Sequence, residues 1–370
     1  MIYLDNYATT SVKKEVLDVV VYTMKDCWGN PSSAYEFGLE AKRLIEDARR
    51  IIADSINAEP NEIIFTSGAS ESNALAIDGF LKANENTYFI TSNIEHNSIP
   101  SFKANNLVYA NENGLVDANK LETELQNVTN QNKLVSIIFA NNEIGTINDI
   151  TKLSNVAHKY GAVLHTDATQ YYPYYKIDVK SMGIDMMSVS GHKFGCPKGI
   201  GFLYVKKGIN LSPIIYGKQN NGLRGGTENV PYIVGLAKAV ELLDYSKEKM
   251  LTDKYVYFLD KLYRVNMFNS NVIYLNGSAE NRLPNNINIQ IKNVDAQMLI
   301  ALFDLNEICV SSGSACNSGE KEPSRVLQAI GLSDKEVKES IRITFSEDTI
   351  YEEIDRFIET LQMILTQFMS

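Results

Sequence analysis

Short apolar segments alternate with amphipathic ones over the first two hundred residues of the chain. Residues 38–57 carry apolar side chains at spacings of three and four, which predicts a helix. Buried strands are predicted for TYFITS, LVSIIFA, AVLHTD and IDMMSVS, with helical segments such as DITKLSNVAHKYG between them. This alternation is typical of an α/β fold with a mostly parallel sheet covered by helices on both faces. The segment GIGFLYVKK follows closely and is expected to add an antiparallel strand.

The pattern changes in the second half of the chain. A long helical stretch is predicted from about Pro231 to Arg264, followed by the strand candidates NNINIQI, EICVSS and SIRITFS and a last helix over 352–368. These elements predict a smaller α+β domain. We therefore predict a large domain over residues 14–255 and a small domain formed by residues 1–13 and 256–370.

Charge and cysteine usage exclude several classes of protein. The 370 residues carry a net charge of −10 without a basic run, which disfavours direct binding of nucleic acid. The N-terminus does not resemble a signal peptide, and no apolar run approaches the ~18 residues that span a membrane. The four cysteines form no C-x-x-C pair, so neither a disulfide framework nor a metal site is expected. A cytoplasmic protein without membrane contact is predicted.

Polar residues with catalytic potential follow four of the predicted strands. His96, Asn142, Asp167 and Lys193 each lie just beyond an apolar segment. The carboxyl ends of strands in an open parallel sheet meet at the edge where ligands bind. Loops are polar in any protein, so each residue alone is weak evidence, but together they predict a site at this edge. Three of the four histidines, His96, His165 and His192, are expected there.

The pair of Lys193 and Asp167 indicates a particular cofactor. A partly desolvated lysine is a good nucleophile towards carbonyl groups, and a carboxylate can keep a pyridine nitrogen protonated. Together they are typical of enzymes that use pyridoxal 5′-phosphate (PLP). The segment FTSGASES would supply a helix N-terminus for the phosphate, with hydroxyls from Ser70 and Ser190. Taken singly, a surface lysine, an N-cap aspartate and an ordinary capped helix explain these features equally well.

Cys316 lies in the segment SSGSACNSG, where every neighbour is small or polar. Free cysteines are usually buried, whereas segments rich in serine and glycine are flexible and exposed. By itself this thiol could be incidental. Beside a PLP site it is a candidate sulfur carrier that reaches both the cofactor and the surface.

Several segments together resemble one family. The chain resembles the class V PLP-dependent enzymes of aminotransferase fold type I, and among them the cysteine desulfurases of the NifS/IscS type. The resemblance rests on segments that occur in family order over nearly the whole chain: YLDNYATT, GNPSS, FTSGASESN, EH at 95 and 96, NNEIGT, HTDATQ, SGHKFGCPKGIG, GLRGGTENVP, SSGSACNSG and SIRITFS.

The resemblance implies a role for each matching residue. The larger domain would bind PLP, with Lys193 as its covalent carrier, His96 against the ring and Asp167 at the ring nitrogen. The cofactor-binding set would be Ala69, Ser70, His96, Asn142, Asp167, Gln170, Ser190, His192, Lys193 and Thr227. Thr227 would reach the phosphate of the second subunit in a homodimer. Asn142 and Arg342 would bind the carboxylate of the substrate.

The implied reaction converts L-cysteine to L-alanine and leaves the sulfur on Cys316 as a persulfide. Lys193, Cys316 and His96 would be the catalytic residues. A protein acceptor, either an iron–sulfur scaffold or a tRNA-thiolation enzyme, would then receive the sulfur. Two alternatives stay open: a selenocysteine lyase or another PLP-dependent C–S lyase, and an aminotransferase on the same scaffold, for which Cys316 would have no role.

Overall fold

The computed structural model describes residues 1–99, 101–264, 272–313 and 323–369, without the side chains of residues 102, 368 and 369. In these parts of the chain the strands are β1 (Ile2–Tyr3), β2 (Ile63–Thr66), β3 (Tyr88–Ser92), β4 (Asn106–Val108), β5 (Lys133–Ser136), β6 (Val163–Asp167), β7 (Met186–Ser190), β8 (Gly201–Val205), β9 (Ile273–Leu275), β10 (Asn286–Ile291), β11 (Ile308–Cys309) and β12 (Ser340–Thr344). The α-helices are α1 (Lys14–Asp26), α2 (Glu36–Ser55), α3 (Ala69–Ala83), α4 (Ala118–Leu125), α5 (Ile150–Lys159), α6 (Val230–Glu241), α7 (Glu248–Arg264), α8 (Ala296–Leu305), α9 (Arg325–Ala329), α10 (Asp334–Lys338) and α11 (Tyr351–Met369).

Seven strands form the larger sheet in the order β2–β8–β7–β6–β5–β3–β4. The pairings from β7 to β4 are parallel, whereas β8 runs antiparallel to both of its neighbours. The prediction of a mostly parallel sheet with an antiparallel strand at GIGFLYVKK is therefore confirmed. Parallel strands need helical crossovers, and α3 and α5 lie on such connections.

Successive strand residues pack on opposite faces of this sheet. Met187 and Phe202 belong to the apolar cluster that includes residues of α1, α2, α5 and α6. Their chain neighbours Met186 and Leu203 belong to a second cluster with α3. A strand that is buried on both faces has a continuous apolar sequence, and this explains why the central strands show no alternation of polar and apolar residues.

A separate core lies between the smaller sheet and its helices. The antiparallel strands β9, β10 and β12 pack with α7, α8 and α11. The rings of Phe303 and Phe357 stack there with centroids 4.7 Å apart. Leu4 joins this core, and β1 pairs with β11, so the N-terminal segment lies with the C-terminal third of the chain. The predicted boundary between residues 255 and 256 falls inside α7.

The long helix predicted from Pro231 is wrong in one respect. It consists of α6 and α7, separated by a short turn over residues 245–247. The side chain of Asp244 accepts a hydrogen bond from the backbone N–H of Ser246 at 3.0 Å, and this cap begins the new turn.

The predicted strand EICVSS is also shorter than expected, because β11 covers Ile308 and Cys309 only. Within the described residues, none of the helices has the length and apolarity needed to cross a bilayer.

Candidate active site

A cavity of about 330 Å³ opens at the carboxyl ends of the parallel strands. Among its lining residues are most of the site residues predicted from the sequence: Ala69, Ser70, His96, Asn142, Asp167, Gln170, Ser190, His192, Lys193 and Arg342. Thr227 does not line the cavity and is exposed. Cys316 lies outside the described residues. The fold thus brings residues from six segments of the chain to one place.

Lys193 reaches the cavity from a turn of 3₁₀-helix that directly follows β7. Its Nζ donates hydrogen bonds to the carbonyl oxygens of Tyr7 and Ala8, the latter at 3.0 Å. The N-terminal segment is fixed beneath this lysine because the N–H of Thr10 donates to the carbonyl of His192 at 3.0 Å. The amine is therefore held in a defined position inside the cavity.

Asp167 ends β6, next to the strand that leads to Lys193. Its Oδ2 accepts a hydrogen bond from Nδ2 of Asn73 at 2.7 Å, and its Oδ1 accepts one from the N–H of Thr169 at 3.0 Å. The residue is 4% exposed. Both oxygens of this carboxylate are thus fixed by a hydrogen bond, and Asp167 is suited to face a cationic group.

His96 lies in the loop after β3, close to Asp167. Its Nδ1 lies 2.7 Å from the hydroxyl of Ser98 and 3.2 Å from the N–H of the same residue. Burial lowers the pKa of His96, although the negative charge of Asp167 acts in the opposite direction. The ring is therefore favoured in its neutral form.

The N-terminus of α3 forms one wall of the cavity. Gly68 precedes the helix with a φ of 146°, and a Cβ at this position would lie 3.2 Å from Oγ of Ser190. The first backbone N–H groups of a helix have no partner within it and attract anions. Ser190 and His192 lie beside this helix end, and burial lowers the pKa of His192 to about 4. The helix end, the hydroxyl of Ser190 and the neutral ring of His192 therefore offer hydrogen-bond donors to this part of the cavity.

Arg342 enters the cavity from the smaller sheet, on β12. Its Nη2 pairs with Oδ1 of Asp5 at 2.7 Å, and its Nη1 donates to the carbonyl of Asn142 at 2.9 Å. The Nε atom is buried and has no hydrogen-bond partner within the described residues. Because a buried donor without a partner is costly, this guanidinium is suited to receive an anionic ligand.

His165 does not lie at the strand ends, because it is fully buried within β6, between the hydroxyls of Ser136 and Ser188 at 2.8 and 3.0 Å. Two residues of the site were not predicted from the sequence: Asp5, which contacts Arg342, and Asn73, which contacts Asp167. The motif YLDNYATT contains Asp5, but its sequence neighbours do not reveal a partner more than three hundred residues away.

Comparison with known proteins identifies the family. The model of the family "Aminotransferase class-V" matches residues 2–357. A curated relative, "Cysteine desulfurase IscS" of Dictyoglomus turgidum, is 40% identical, and the match covers 98% of this chain and 94% of the relative. The solved structure of a NifS-like protein from Rickettsia africae superposes with a TM-score of 0.90 at 35% identity, covering 99% of both chains. A structure described as "SspA in complex with cysteine" has a TM-score of 0.79 at 36% identity, covering 95% of this chain and 100% of that one.

The chain belongs to the class V aminotransferase family, and within it to the cysteine desulfurases of the IscS and NifS type. This family is PLP-dependent. The match spans nearly the full length of each relative, so both sheets described above are covered by it.

Proposed function

We propose that the protein is a PLP-dependent cysteine desulfurase, which converts L-cysteine to L-alanine and transfers the sulfur to Cys316. The observation that carries this proposal is the cavity shared by Lys193, Asp167 and Arg342. It combines an amine, a carboxylate and a buried guanidinium beside the N-terminus of α3. One relative is named a cysteine desulfurase, and one similar structure is described as a complex with cysteine. Both support L-cysteine as the substrate.

The residues around the cavity fit PLP. Asp167 would hold the proton of the ring nitrogen, His96 would lie against the ring, and Gln170 would contact its hydroxyl. The phosphate would be held by Ala69, Ser70, Ser190 and His192. The hydroxyl of Thr169 also lines the cavity and has no hydrogen-bond partner within the described residues, as expected of a site that receives a polar ligand. When bound to Lys193, PLP supplies an electron sink that stabilises negative charge at Cα of the substrate.

Arg342 and Asn142 would bind the substrate carboxylate. A guanidinium binds a carboxylate through two parallel hydrogen bonds. Asp5 and the carbonyl of Asn142 already fix the plane of Arg342, so its orientation is set before the substrate arrives. This contact would select α-amino acids and orient Cα towards Lys193.

Proton transfer would fall to Lys193 and His96. We assign the amine of Lys193 as the base that takes the proton from Cα of the substrate, since its Nζ lies in the cavity at the end of β7. His96 is neutral at physiological pH because burial lowers its pKa, so it can accept or return a proton near the same atom.

The sulfur step would use Cys316. Its thiolate attacks the sulfur of the substrate, an S–S bond forms, and the C–S bond breaks with its electron pair remaining on carbon. A proton then completes alanine, so that L-cysteine and the thiol of Cys316 become L-alanine and a persulfide on Cys316. No external oxidant is needed. This assignment rests on the sequence motif, since Cys316 lies outside the described residues.

A homodimer is the assembly that we propose. Helix α1 buries Val16 and Val20 against α6, yet it also exposes Leu17 and Met24, each at 49%. A helix that is apolar on both sides usually has a second partner. Thr227 is exposed as well, which suits a residue that completes the phosphate site of a second subunit.

The persulfide would pass to a protein acceptor, either an iron–sulfur scaffold or a tRNA-thiolation enzyme. A thiol that cycles through a persulfide needs reducing surroundings, so we also propose a cytoplasmic location.

One assay tests the function. The purified protein is incubated with PLP, L-cysteine and a thiol reductant, and sulfide and alanine are measured together. We expect the two products in equal amounts. Formation of a keto acid from cysteine without alanine would instead identify an aminotransferase, and release of selenide from selenocysteine without activity on cysteine would identify the lyase.

A further inference from the structure

One buried asparagine connects the two sides of the cavity. Asn73 lies one turn into α3 and is fully buried. Its Nδ2 donates to Oδ2 of Asp167 at 2.7 Å and to Oγ of Ser98 at 2.8 Å. Both amide hydrogens are therefore used, one for each partner. Ser98 in turn contacts Nδ1 of His96, so a continuous chain of hydrogen bonds runs from Asp167 to His96.

The orientation of the Asn73 amide follows from its partners. Oδ2 of a carboxylate accepts hydrogen bonds only, so the nitrogen of the amide must face Asp167. The carbonyl oxygen Oδ1 is left buried without a hydrogen-bond partner in the described part of the chain. A buried acceptor without a partner lowers stability. Stability alone does not explain this arrangement, and departures of this kind are typical of functional sites.

The chain of hydrogen bonds also sets the tautomer of His96. Nδ2 of Asn73 cannot accept a hydrogen bond, so within the described residues the hydroxyl hydrogen of Ser98 has Nδ1 of His96, 2.7 Å away, as its acceptor. The backbone N–H of Ser98 reaches the same nitrogen at 3.2 Å. Nδ1 thus acts as an acceptor, and the neutral ring carries its proton on Nε2.

We propose that Asn73 is a positioning residue: through its single amide it orients the carboxylate of Asp167 and, by way of Ser98, keeps the proton of His96 on Nε2. The consequence for catalysis rests on the proposed function, in which both residues contact the cofactor. The hydrogen-bond chain itself is a property of the protein without PLP. It can therefore be tested whether or not the protein proves to be a desulfurase.

The test measures the tautomer of His96 in the PLP-free protein by ¹⁵N NMR of labelled histidine, with His96→Gln used to assign the signals. In Asn73→Ala the hydroxyl of Ser98 is free to accept a hydrogen bond, so we expect a clearly resolved share of the Nδ1–H form. In the double variant Asn73→Ala/Ser98→Ala that acceptor is gone and the backbone N–H remains. The Nε2–H form should then return. Alanine is a good helix former, so α3 should persist in both variants.

A matched control separates this role from general loss of stability. Asn276 is a buried asparagine whose Nδ2 donates to the side chains of Asn288 and Ser340 at 2.8 and 3.1 Å, and none of these three residues lines the cavity. Asn276→Ala should lower the melting temperature and leave the tautomer of His96 unchanged.

In the loaded enzyme, Asn73→Ala should lower kcat on the order of tenfold with little change in KM, because it misplaces groups at the reacting centre without touching the substrate. Wild-type signals of His96 in Asn73→Ala would overturn the proposal. An equal tautomer shift in the single and double variants would overturn it too, since Ser98 would then transmit nothing.

Discussion

Asp5 and Arg342 form an ion pair of 2.7 Å although they are 337 positions apart in the sequence. Asp5 follows β1, and Arg342 lies on β12 with a side chain that is 1% exposed. The ion pair places a carboxylate next to the guanidinium that we propose as the binding group for the carboxylate of the substrate. The N-terminal segment therefore takes part in the site at two points, since the carbonyls of Tyr7 and Ala8 hold Lys193.

Replacing Asp5 by asparagine should weaken substrate binding. The change removes a charge-assisted hydrogen bond, worth about 2 kcal/mol, and leaves Arg342 free to turn away from the substrate. We expect KM for L-cysteine to rise about tenfold or more, with kcat changed less and the melting temperature lowered. The control is Asp253→Asn on the exposed side of α7. An unchanged KM in Asp5→Asn would show that Arg342 does not need this partner.

Lys193→Ala should abolish turnover. The variant loses the residue that we propose as the covalent anchor of PLP and as the base that takes the proton from Cα of the substrate, while the proposed phosphate site and Asp167 remain. We expect the wild-type protein to be yellow after purification, and the variant to release no measurable alanine even when PLP is added. Lys176→Ala changes an exposed lysine and serves as the control. Normal turnover without Lys193 would refute the PLP mechanism as a whole.

Much of the candidate site could be predicted from the sequence because it depends on local patterns of apolar and polar residues. Asp167 is the last residue of one buried strand and Lys193 lies in the turn after the next, and the carboxyl ends of parallel strands necessarily meet. The antiparallel strand β8 was also predictable, since only a short connection separates it from β7.

Other contacts depend on tertiary packing and cannot be predicted from the neighbouring residues in the sequence. The pairing of Asp5 with Arg342 arises because β1 joins β11 next to the smaller sheet. Asn73 looks like any polar residue in a helix until the fold brings Asp167 to it. His165 follows the same sequence pattern as the site residues, yet it lies two residues before the end of β6 and is bonded to Ser136 and Ser188 instead.

The stability of the PLP-free protein should depend on Glu95 at neutral to alkaline pH. Burial raises the pKa of Glu95 to about 8, whereas its ordinary value is 4.5. Between these values the folded state binds more protons than the unfolded chain, so the free energy of unfolding falls as the pH rises. His165 and His192 act oppositely, because burial lowers the pKa of each to about 4. Their effect ends above about pH 6.5, the ordinary value for histidine.

The histidines no longer contribute between about pH 6.5 and about 8, so this window reports on Glu95. Urea unfolding should show a decline in the free energy of unfolding of at most about 1.4 kcal/mol per pH unit for Glu95. Glu95→Gln should flatten this decline, and Glu85→Gln, at an exposed position, should not. A slope in Glu95→Gln equal to that of the wild type would contradict the assignment.

A charge on the exposed face of α1 should break the homodimer that we propose. Leu17 is 49% exposed on this helix, and burying an aspartate at this position in an interface is costly. We expect Leu17→Asp to be monomeric by light scattering and to lose PLP more readily, because Thr227 of a second subunit would no longer reach the phosphate. Leu305→Asp makes the same change at an 80% exposed position on α8 and should leave a dimer. A PLP-loaded, active monomer would refute the shared site.

The final prediction separates the four thiols. Cys196 and Cys27 are 1% and 2% exposed. Burial raises the pKa of Cys196 to about 12 and, with the charges of Asp304 and Asp5, also raises that of Cys309. A thiol must ionise to attack sulfur, so neither Cys196 nor Cys309 is suited to the task. The motif around Cys316 makes it the carrier that we predict.

Cys316→Ser should therefore keep PLP and bind L-cysteine but release no sulfide, whereas Cys196→Ala should retain substantial activity. Peptide mass spectrometry after a single turnover would locate the transferred atom. We expect one additional sulfur on the peptide that contains Cys316. Its appearance on the peptide of Cys196 alone would mean that this buried thiol becomes accessible during the reaction, and the assignment of the carrier would then be wrong.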